Sequence, residues 1–235
     1  MQKNKTLLKS EWNKSYVNKN NFLFYPDDEV IRFMSKYIRK RIGLNKFLNL
    51  NFQKNMKRSL DLGCGIGRHV IYCHEMGLDS YGIDLSDIAI KFAHDWAKVI
   101  GLLAPNKKIK QGDVRYLPWD SGFFNFVISH GVLDSMSLEI AKETSIEIAR
   151  VMDTGGLFYC DLISGDDSDH AREYYGEEIV KTEHEKGTIQ SYFNFHKIQY
   201  LFEGLFTIKE CQLIKRENVL TGTLSSRYHL ILEKI

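Results

Sequence analysis

A turn rich in glycine constrains this chain more than any other feature. The stretch "RSLDLGCGIGRHV", residues 58–70, places Gly63, Gly65 and Gly67 at alternate positions directly after a short apolar run. Glycine adopts left-handed backbone conformations without steric cost and lets the chain approach a neighbour closely. The stretch therefore predicts a strand, a tight turn and a helix. On the glycines alone, the turn fits a ligand-binding loop and a turn that binds nothing equally well.

The segments that follow repeat the pattern of strand and then helix. The runs "SYGIDLS", "KKIKQGD", "FNFVIS" and "GGLFYCDLI" are short and apolar, which is typical of buried strands. Helices are predicted between them, one capped by Ser86 and another over 137–152. Strands that alternate with helices imply a parallel sheet with helices on both faces.

The two ends of the chain depart from this alternation. "FTIKECQLIKRE" and "SSRYHLILEKI" are strand-like runs without a helix between them, so they should pair antiparallel. The sequence thus predicts an α/β fold: a doubly wound, seven-stranded, mostly parallel sheet with an antiparallel C-terminal hairpin and helices on both faces. Near the other end, "YPDDEVIRFMSKYIRKRIG" predicts one helix that stops at Gly43.

Composition excludes several classes of protein. A length of 235 residues favours one domain, and a net charge of +2 gives no clustered basic face for nucleic acid. No run approaches the roughly 20 apolar residues that span a bilayer, and the first residues lack the apolar core of a signal peptide. The four cysteines form no CxxC pair, so we expect reduced thiols and no zinc. We therefore expect a cytoplasmic protein with no nucleic-acid partner and no membrane partner.

Carboxylates occur where three predicted strands end. A nicotinamide-binding turn would read GxGxxG, but Arg68 stands where its third glycine belongs. Open sheets bind ligands at the carboxyl ends of their strands. There Asp61 would attract an ammonium group, Asp84 would accept ribose hydroxyls, and Asp113 would accept from an adenine amino group. The alternatives are a turn cap for Asp61 and an ordinary loop acid for Asp113.

Five stretches carry a family resemblance: "LDLGCGIGRH", "YGIDLS", "QGDVRYLPW", "FFNFVISHGVLD" and "ARVMDTGGLFYCDL". In their order and spacing, over residues 58–163, the chain resembles the class I S-adenosylmethionine-dependent methyltransferases of the small-molecule type. The resemblance implies S-adenosyl-L-methionine as cofactor, transfer of a methyl group to a small-molecule acceptor, and no metal. The alternative is a partner subunit that binds S-adenosylmethionine and transfers nothing.

The resemblance also implies roles for single residues. It assigns Asp61 and Ser129 to the cofactor amine, Gly63, Cys64 and Gly65 to the methionine part, Asp84 to the ribose, and Leu85, Asp113 and Val114 to the adenine. Arg68 would either reach the cofactor carboxylate or only cover its helix.

Candidates for the acceptor side lie outside these motifs. His130 follows the fourth core strand, where it is either a general base near neutral pH or a wall residue. The first 25 residues carry Trp12, Tyr16 and Tyr25, which predict a lid over the cofactor, with Tyr25 in contact with it. Ordinary aromatic packing is the alternative.

The predicted layout is a single methyltransferase domain over 1–235. Its parts are an N-terminal lid and helix at 1–50, a cofactor-binding core at 58–163, an acceptor-side insertion at 164–205 and a C-terminal hairpin at 206–235.

Overall fold

The computed structural model describes residues 2–17, 19, 22–50, 57–167, 170, 173–181 and 186–235, with side chains from residue 9 onward. Some residues of the predicted lid and of the predicted insertion, among them 20–21, 168–169 and 182–185, lie outside the described ranges. Within the described residues, no helix combines the length and hydropathy needed to cross a bilayer.

Seven helices and eleven strands are described, together with one turn of π-helix at Met34–Ile38. The helices are α1 (Gln2–Val17), α2 (Asp28–Phe33), α3 (Arg68–Glu75), α4 (Asp87–Val99), α5 (Pro105–Lys108), α6 (Leu138–Val151) and α7 (Phe195–Phe202). The strands are β1 (Arg39–Gly43), β2 (Lys46–Asn49), β3 (Arg58–Leu62), β4 (Asp79–Asp84), β5 (Ile109–Gln111), β6 (Phe124–Ser129), β7 (Met152–Ile163), β8 (Glu177–Ile179), β9 (Ile189–Ser191), β10 (Phe206–Glu217) and β11 (Leu224–Lys234).

The central sheet has seven strands in the order β10-β11-β7-β6-β3-β4-β5. The strands from β3 to β7 are parallel, whereas β11 is antiparallel to both of its neighbours. This confirms the predicted α/β sheet and its closing hairpin. Two small antiparallel sheets, β1-β2 and β8-β9, lie outside it.

Both faces of the sheet are buried, as alternate residues of β6 show. Phe126 and Ile128 pack with α2, the π-helical turn and α3, whereas Val127 packs with α6 and α7. A strand covered on both faces is a continuous apolar run in the sequence, and such runs are what predicted these strands. The predicted cap Ser86 is also confirmed, because its side chain accepts from the backbone N–H of Ala89 at the start of α4.

The predicted helix over 25–43 is wrong beyond Ile38. From Arg39 onward the chain forms β1, which pairs with β2 in a hairpin. Ile42 continues the apolar helical spacing of the sequence, but its side chain is 58% exposed, so it has no core to face. Arg39 instead donates to the carbonyl of Met76 at 2.9 Å and lies 4.4 Å from the ring centre of Phe47. These tertiary contacts favour the extended backbone over a further turn of helix.

One guanidinium holds the antiparallel hairpin to the loop that follows β6. Arg227 of β11 donates to Asp161 at 2.8 Å and to Asp134 at 2.6 Å, and both carboxylates are buried. Asp161 also accepts from the backbone N–H of Gly131 at 2.7 Å, and Asp134 accepts from that of Ile163 at 2.9 Å. The carboxyl edge of the sheet therefore depends on this half-buried cation.

We expect Arg227→Met to destabilise the protein by about 3 kcal/mol, because it leaves two buried carboxylates without their cation. Urea denaturation measures the change. The control is Arg216→Met, which removes an exposed arginine from the adjoining strand. Equal stability of the two variants would contradict a structural role for Arg227.

Candidate functional site

The glycine turn is shaped by close neighbours as well as by its backbone. Gly63 and Gly65 have φ values of +62° and +53°, a region that disfavours other residues. A Cβ atom at Gly65 would lie 2.6 Å from the hydroxyl oxygen of Tyr16, and one at Gly63 would lie 2.5 Å from a methyl group of Val132. Tyr16 comes from α1 and Val132 from the loop after β6, so the turn lies between the N-terminal segment and that loop.

A cavity of 350 Å³ opens beside this turn at the carboxyl edge of the sheet. Its volume falls in the range of roughly 300–1,000 Å³ typical of small-molecule sites. The structure brings nine of the predicted site residues to its wall: Gly63, Cys64, Gly65, Arg68, Asp84, Leu85, Asp113, Val114 and His130. Trp12, Tyr16 and Leu23 of the N-terminal segment line it too. None of the lining residues comes from the described part of 164–205.

Asp84 organises the turn as well as facing the cavity. Its carboxylate accepts from the backbone N–H of Gly65 and from that of Ser86, each at 2.8 Å. Burial raises the pKa of Asp84 from 3.8 to about 6, against the opposing effect of these two donors. Because the folded pKa lies above the ordinary value, ionisation of Asp84 costs stability as the pH rises from about 4 to 6.

Asp113 carries a partner that the sequence analysis did not anticipate. The side chain of Arg115 donates to both carboxylate oxygens of Asp113, at 3.1 and 2.8 Å, and both residues line the cavity. The two-residue spacing folds the guanidinium back on the turn. Asp113 thus enters the cavity as half of an ion pair.

Three predicted residues lie off the cavity wall. Asp61 is buried, with one carboxylate oxygen 3.5 Å from Nδ1 of His69 and the other without a hydrogen-bond partner among the described residues. Ser129 is buried at the end of β6. The side chain of Tyr25 is 84% exposed, and its backbone carbonyl accepts from Arg68 at 3.3 Å.

His130 lies between two carboxylates and an arginine. Its Nε2 is 3.1 Å from Asp27 and 3.7 Å from Asp161, and its Nδ1 is 3.3 Å from a nitrogen of Arg68. Because a guanidinium only donates, Nδ1 accepts and Nε2 carries the proton. Burial alone would lower the pKa of His130, but Asp161 and Asp27 outweigh it and raise that pKa above 6.5.

Asp27 is a site residue that the sequence analysis placed only within the predicted helix over 25–43. One of its oxygens caps α2 by accepting from the backbone N–H of Glu29 at 2.9 Å, and the other faces His130. Burial would raise the pKa of Asp27, but the hydrogen bond and charge of His130 hold it well below its usual value. Asp161 had a visible signal in the sequence, since it is the one charge inside the apolar run "GGLFYCDLI".

The donor set fits S-adenosylmethionine. The buried oxygen of Asp61 that lacks a partner among the described residues suits an amine, the carboxylate of Asp84 retains acceptor capacity for hydroxyls, and Gly63 and Gly65 bring backbone to the cavity wall. Among the described residues, no three histidine, cysteine, aspartate or glutamate side chains are grouped so that they would hold a metal.

Comparisons with known proteins agree with this geometry. Residues 60–160 match the family model described as a methyltransferase domain. No curated protein sequence matches the chain.

Solved structures share the fold at low identity. A S-adenosylmethionine-dependent methyltransferase from Methanosarcina mazei has a TM-score of 0.64 at 20% identity, covering 78% of this chain and 95% of that one. A second structure is the 1,6-didemethyltoxoflavin N1-methyltransferase of Burkholderia thailandensis, solved with its substrate and S-adenosylhomocysteine. Its TM-score is 0.58 at 17% identity, and the match covers 77% of this chain and 72% of that one. A third structure is the magnesium protoporphyrin IX methyltransferase of Synechocystis, solved with S-adenosylmethionine. Its TM-score is 0.55 at 16% identity, and the match covers 77% of this chain and 71% of that one.

We expect Asp84→Asn to weaken the binding of S-adenosylhomocysteine by about 2 kcal/mol, because it removes a charged acceptor. Wild-type affinity should also fall as the pH drops through about 6, where Asp84 takes up a proton, and the variant should lack this dependence. Calorimetry across that range measures both effects. The control is Asp79→Asn at the opposite end of β4, where the carboxylate pairs with Lys108. Equal losses in the two variants would contradict the assignment.

Proposed function

We propose that this chain is an S-adenosylmethionine-dependent methyltransferase of class I, and that it methylates a small, largely apolar acceptor with His130 as general base. The observation that carries the proposal is that one cavity joins the predicted cofactor residues to His130 and to an apolar wall. That wall consists of Trp12, Leu23, Val132, Met136 and Ile140.

The apolar wall of the cavity and the pairing of its two arginines support a small acceptor of low polarity. Apolar walls bind apolar groups, and a strongly polar acceptor would leave hydrogen-bonding groups unpaired there. The two arginines of the lining are already engaged, Arg115 with Asp113 and Arg68 with His130. A nucleic-acid acceptor would call for several uncommitted cations along its backbone. The Burkholderia and Synechocystis enzymes act on small molecules by their names, and this similarity of fold points the same way.

S-adenosylmethionine, when bound, supplies a methyl group activated by its sulfonium. The tasks left to this chain are to hold the acceptor in line, to exclude water and to remove a proton where the acceptor carries one. We assign the binding of the cofactor to Asp61, Asp84, Asp113 and the backbone of the glycine turn. Arg68 lies at the boundary between these residues and His130.

His130 suits proton removal by geometry. Its Nε2–H donates toward Asp27, so Nδ1 is the nitrogen that takes a proton from an acceptor hydroxyl or amine. Arg68 occupies that lone pair at 3.3 Å, and it must donate elsewhere before Nδ1 becomes available. The imidazolium that results is stabilised by the carboxylates of Asp27 and Asp161.

Substrate class is tested by the fate of a labelled methyl group. The protein is incubated with methyl-labelled S-adenosylmethionine and a cell extract, and the label is then followed into small molecules extracted by organic solvent, into protein and into nucleic acid. We expect it in the extracted small molecules, and label in either macromolecule would contradict the proposal. A partner subunit that binds the cofactor without transfer, the alternative, would bind S-adenosylhomocysteine and label nothing.

We expect Asp27→Asn to lower the pKa of His130 by about one unit, because a neutral amide replaces an anion at 3.1 Å. Asparagine caps helices as well as aspartate does, so α2 should survive. Histidine NMR titration measures this without any acceptor, and the rate of methyl transfer should begin to rise at lower pH in the variant. The control is Asp28→Asn, the adjacent acid in the first turn of α2. Identical titrations in both variants would exclude Asp27 as the partner of His130.

The position of α1 supports our proposal that the N-terminal segment forms a lid over the cavity. Asn13 bonds to Ser86 at 2.6 Å and to Asp87 at 2.7 Å, which seats α1 on the start of α4. Trp12 and Tyr16 then face the cavity. Closure of such a segment excludes water from the reaction.

We expect S-adenosylhomocysteine to slow hydrogen exchange in residues 10–17, because ligand beneath Trp12 and Tyr16 stabilises the seated helix. Amides of β7, which lie within the sheet, serve as the internal reference. Unchanged exchange in residues 10–17 on ligand binding would contradict the lid.

A cytoplasmic location is part of the same proposal. Cys64, Cys73 and Cys160 are buried as free thiols, and none of the four cysteines forms a disulfide. Reduced cysteines are typical of that compartment.

A further inference from the structure

The small net charge of the chain conceals a strongly basic segment. Residues 30–60 contain no aspartate or glutamate. The same segment holds nine lysine and arginine residues: Arg32, Lys36, Arg39, Lys40, Arg41, Lys46, Lys54, Lys57 and Arg58. The remainder of the chain carries more acid than base, so the overall charge is +2. The basic segment includes the β1-β2 hairpin that replaced the predicted end of a helix.

One face of this hairpin is fixed to the body of the protein. Arg39 and Arg41 lie 4.4 and 5.3 Å from the ring centre of Phe47, which packs in the core beneath. Both arginines donate to backbone carbonyls at the end of α3, Arg39 to Met76 and Arg41 to Glu75. Since α3 ends where β4 is about to begin, the hairpin lies at the amino edge of the sheet, opposite the cavity.

The other face of the hairpin is both aliphatic and cationic. Successive strand residues point to opposite sides, so Lys40, Ile42, Lys46 and Leu48 point away from the core. Ile42 is 58% and Leu48 is 48% exposed, and Leu44 at the turn is 93% exposed. Lys40 and Lys46 are exposed, and neither forms an ion pair with a described carboxylate. We call the surface formed by Lys40, Ile42, Leu44, Lys46 and Leu48 the outer hairpin face.

We propose that the outer hairpin face binds an anionic lipid surface. Leu44 and Ile42 insert at the boundary between headgroups and acyl chains, while Lys40 and Lys46 lie against the lipid phosphates. Aliphatic side chains next to lysines without acids are the combination that interfacial binding uses. A nucleic acid fits less well, because isoleucine and leucine offer no stacking surface and no hydrogen bonds to bases.

This surface adds a partner that the sequence analysis did not expect. A peripheral contact needs no spanning helix, and the anionic cytoplasmic leaflet provides the charge. The binding lies at the edge of the sheet away from the cavity, so it neither requires nor blocks methyl transfer.

The test is co-sedimentation with vesicles of phosphatidylcholine alone and of phosphatidylcholine with phosphatidylserine. We expect binding only to the second kind, weakened by added salt because the attraction is screened. Lys40→Gln with Lys46→Gln should weaken it by about twenty-five-fold, since each lysine near an anionic surface contributes about fivefold. Leu44→Ser should weaken it as well, with no loss of S-adenosylhomocysteine binding, because this exposed side chain supports no packing.

The matched control is Lys91→Gln with Lys107→Gln, which removes the same charge from exposed positions on α4 and α5. Binding within twofold of wild type is expected for this control. The proposal is overturned if wild type ignores phosphatidylserine, or if the hairpin and control variants lose affinity equally. It is also overturned if the two hairpin lysine substitutions weaken binding to duplex DNA or RNA while binding to the vesicles stays unchanged.

Discussion

One buried carboxylate, shared by two backbone amides, governs the site of this protein. Asp84 accepts from Gly65 in the glycine turn and from Ser86 at the start of α4. It thereby joins the loop after β3 to the loop after β4, the two neighbouring strand ends that border the cavity. The cost of burying this acid is visible in a pKa raised to about 6. Hydrogen bonds from a ribose would offset that cost, so binding of the cofactor and order in the turn reinforce one another.

A chain of carboxylates and imidazoles connects the glycine turn with His130. His69, beside Asp61, accepts at Nε2 from the backbone N–H of Asp27 at 3.3 Å, and the carboxylate of Asp27 then faces His130. Asp161 stands behind His130 and is itself held by Arg227. The imidazoles of His69 and His130 each accept a hydrogen bond at one nitrogen and turn the other nitrogen toward a carboxylate, so they separate Asp61, Asp27 and Asp161 from one another. Because Asp27 precedes α2 while the others lie on the sheet or its loops, the environment of His130 depends on where the N-terminal part of the chain packs.

The sequence predicted what the backbone and the apolar pattern determine. Strands buried on both faces are apolar runs, and the glycines at 63 and 65 mark a turn that only they tolerate. It did not predict pairings between side chains far apart in sequence, such as Asp27 with His130. Apolar spacing also misplaced the end of a helix, because Ile42 fits the helical repeat but faces solvent. Periodicity reports which residues are apolar, whereas the rest of the fold decides whether a core lies next to them.

The same limit explains why a basic surface escaped notice. Net charge averages over the chain, and acids elsewhere cancel the nine cations of residues 30–60. Within that segment, Arg32 and Lys36 pair with Glu210 of β10, and Arg39 and Arg41 are turned toward the end of α3. Only folding separates cations that hold the structure together from Lys40 and Lys46, which face outward beside aliphatic side chains. A charge count therefore bounds the total, but the alternation of a strand decides which charges remain for a partner.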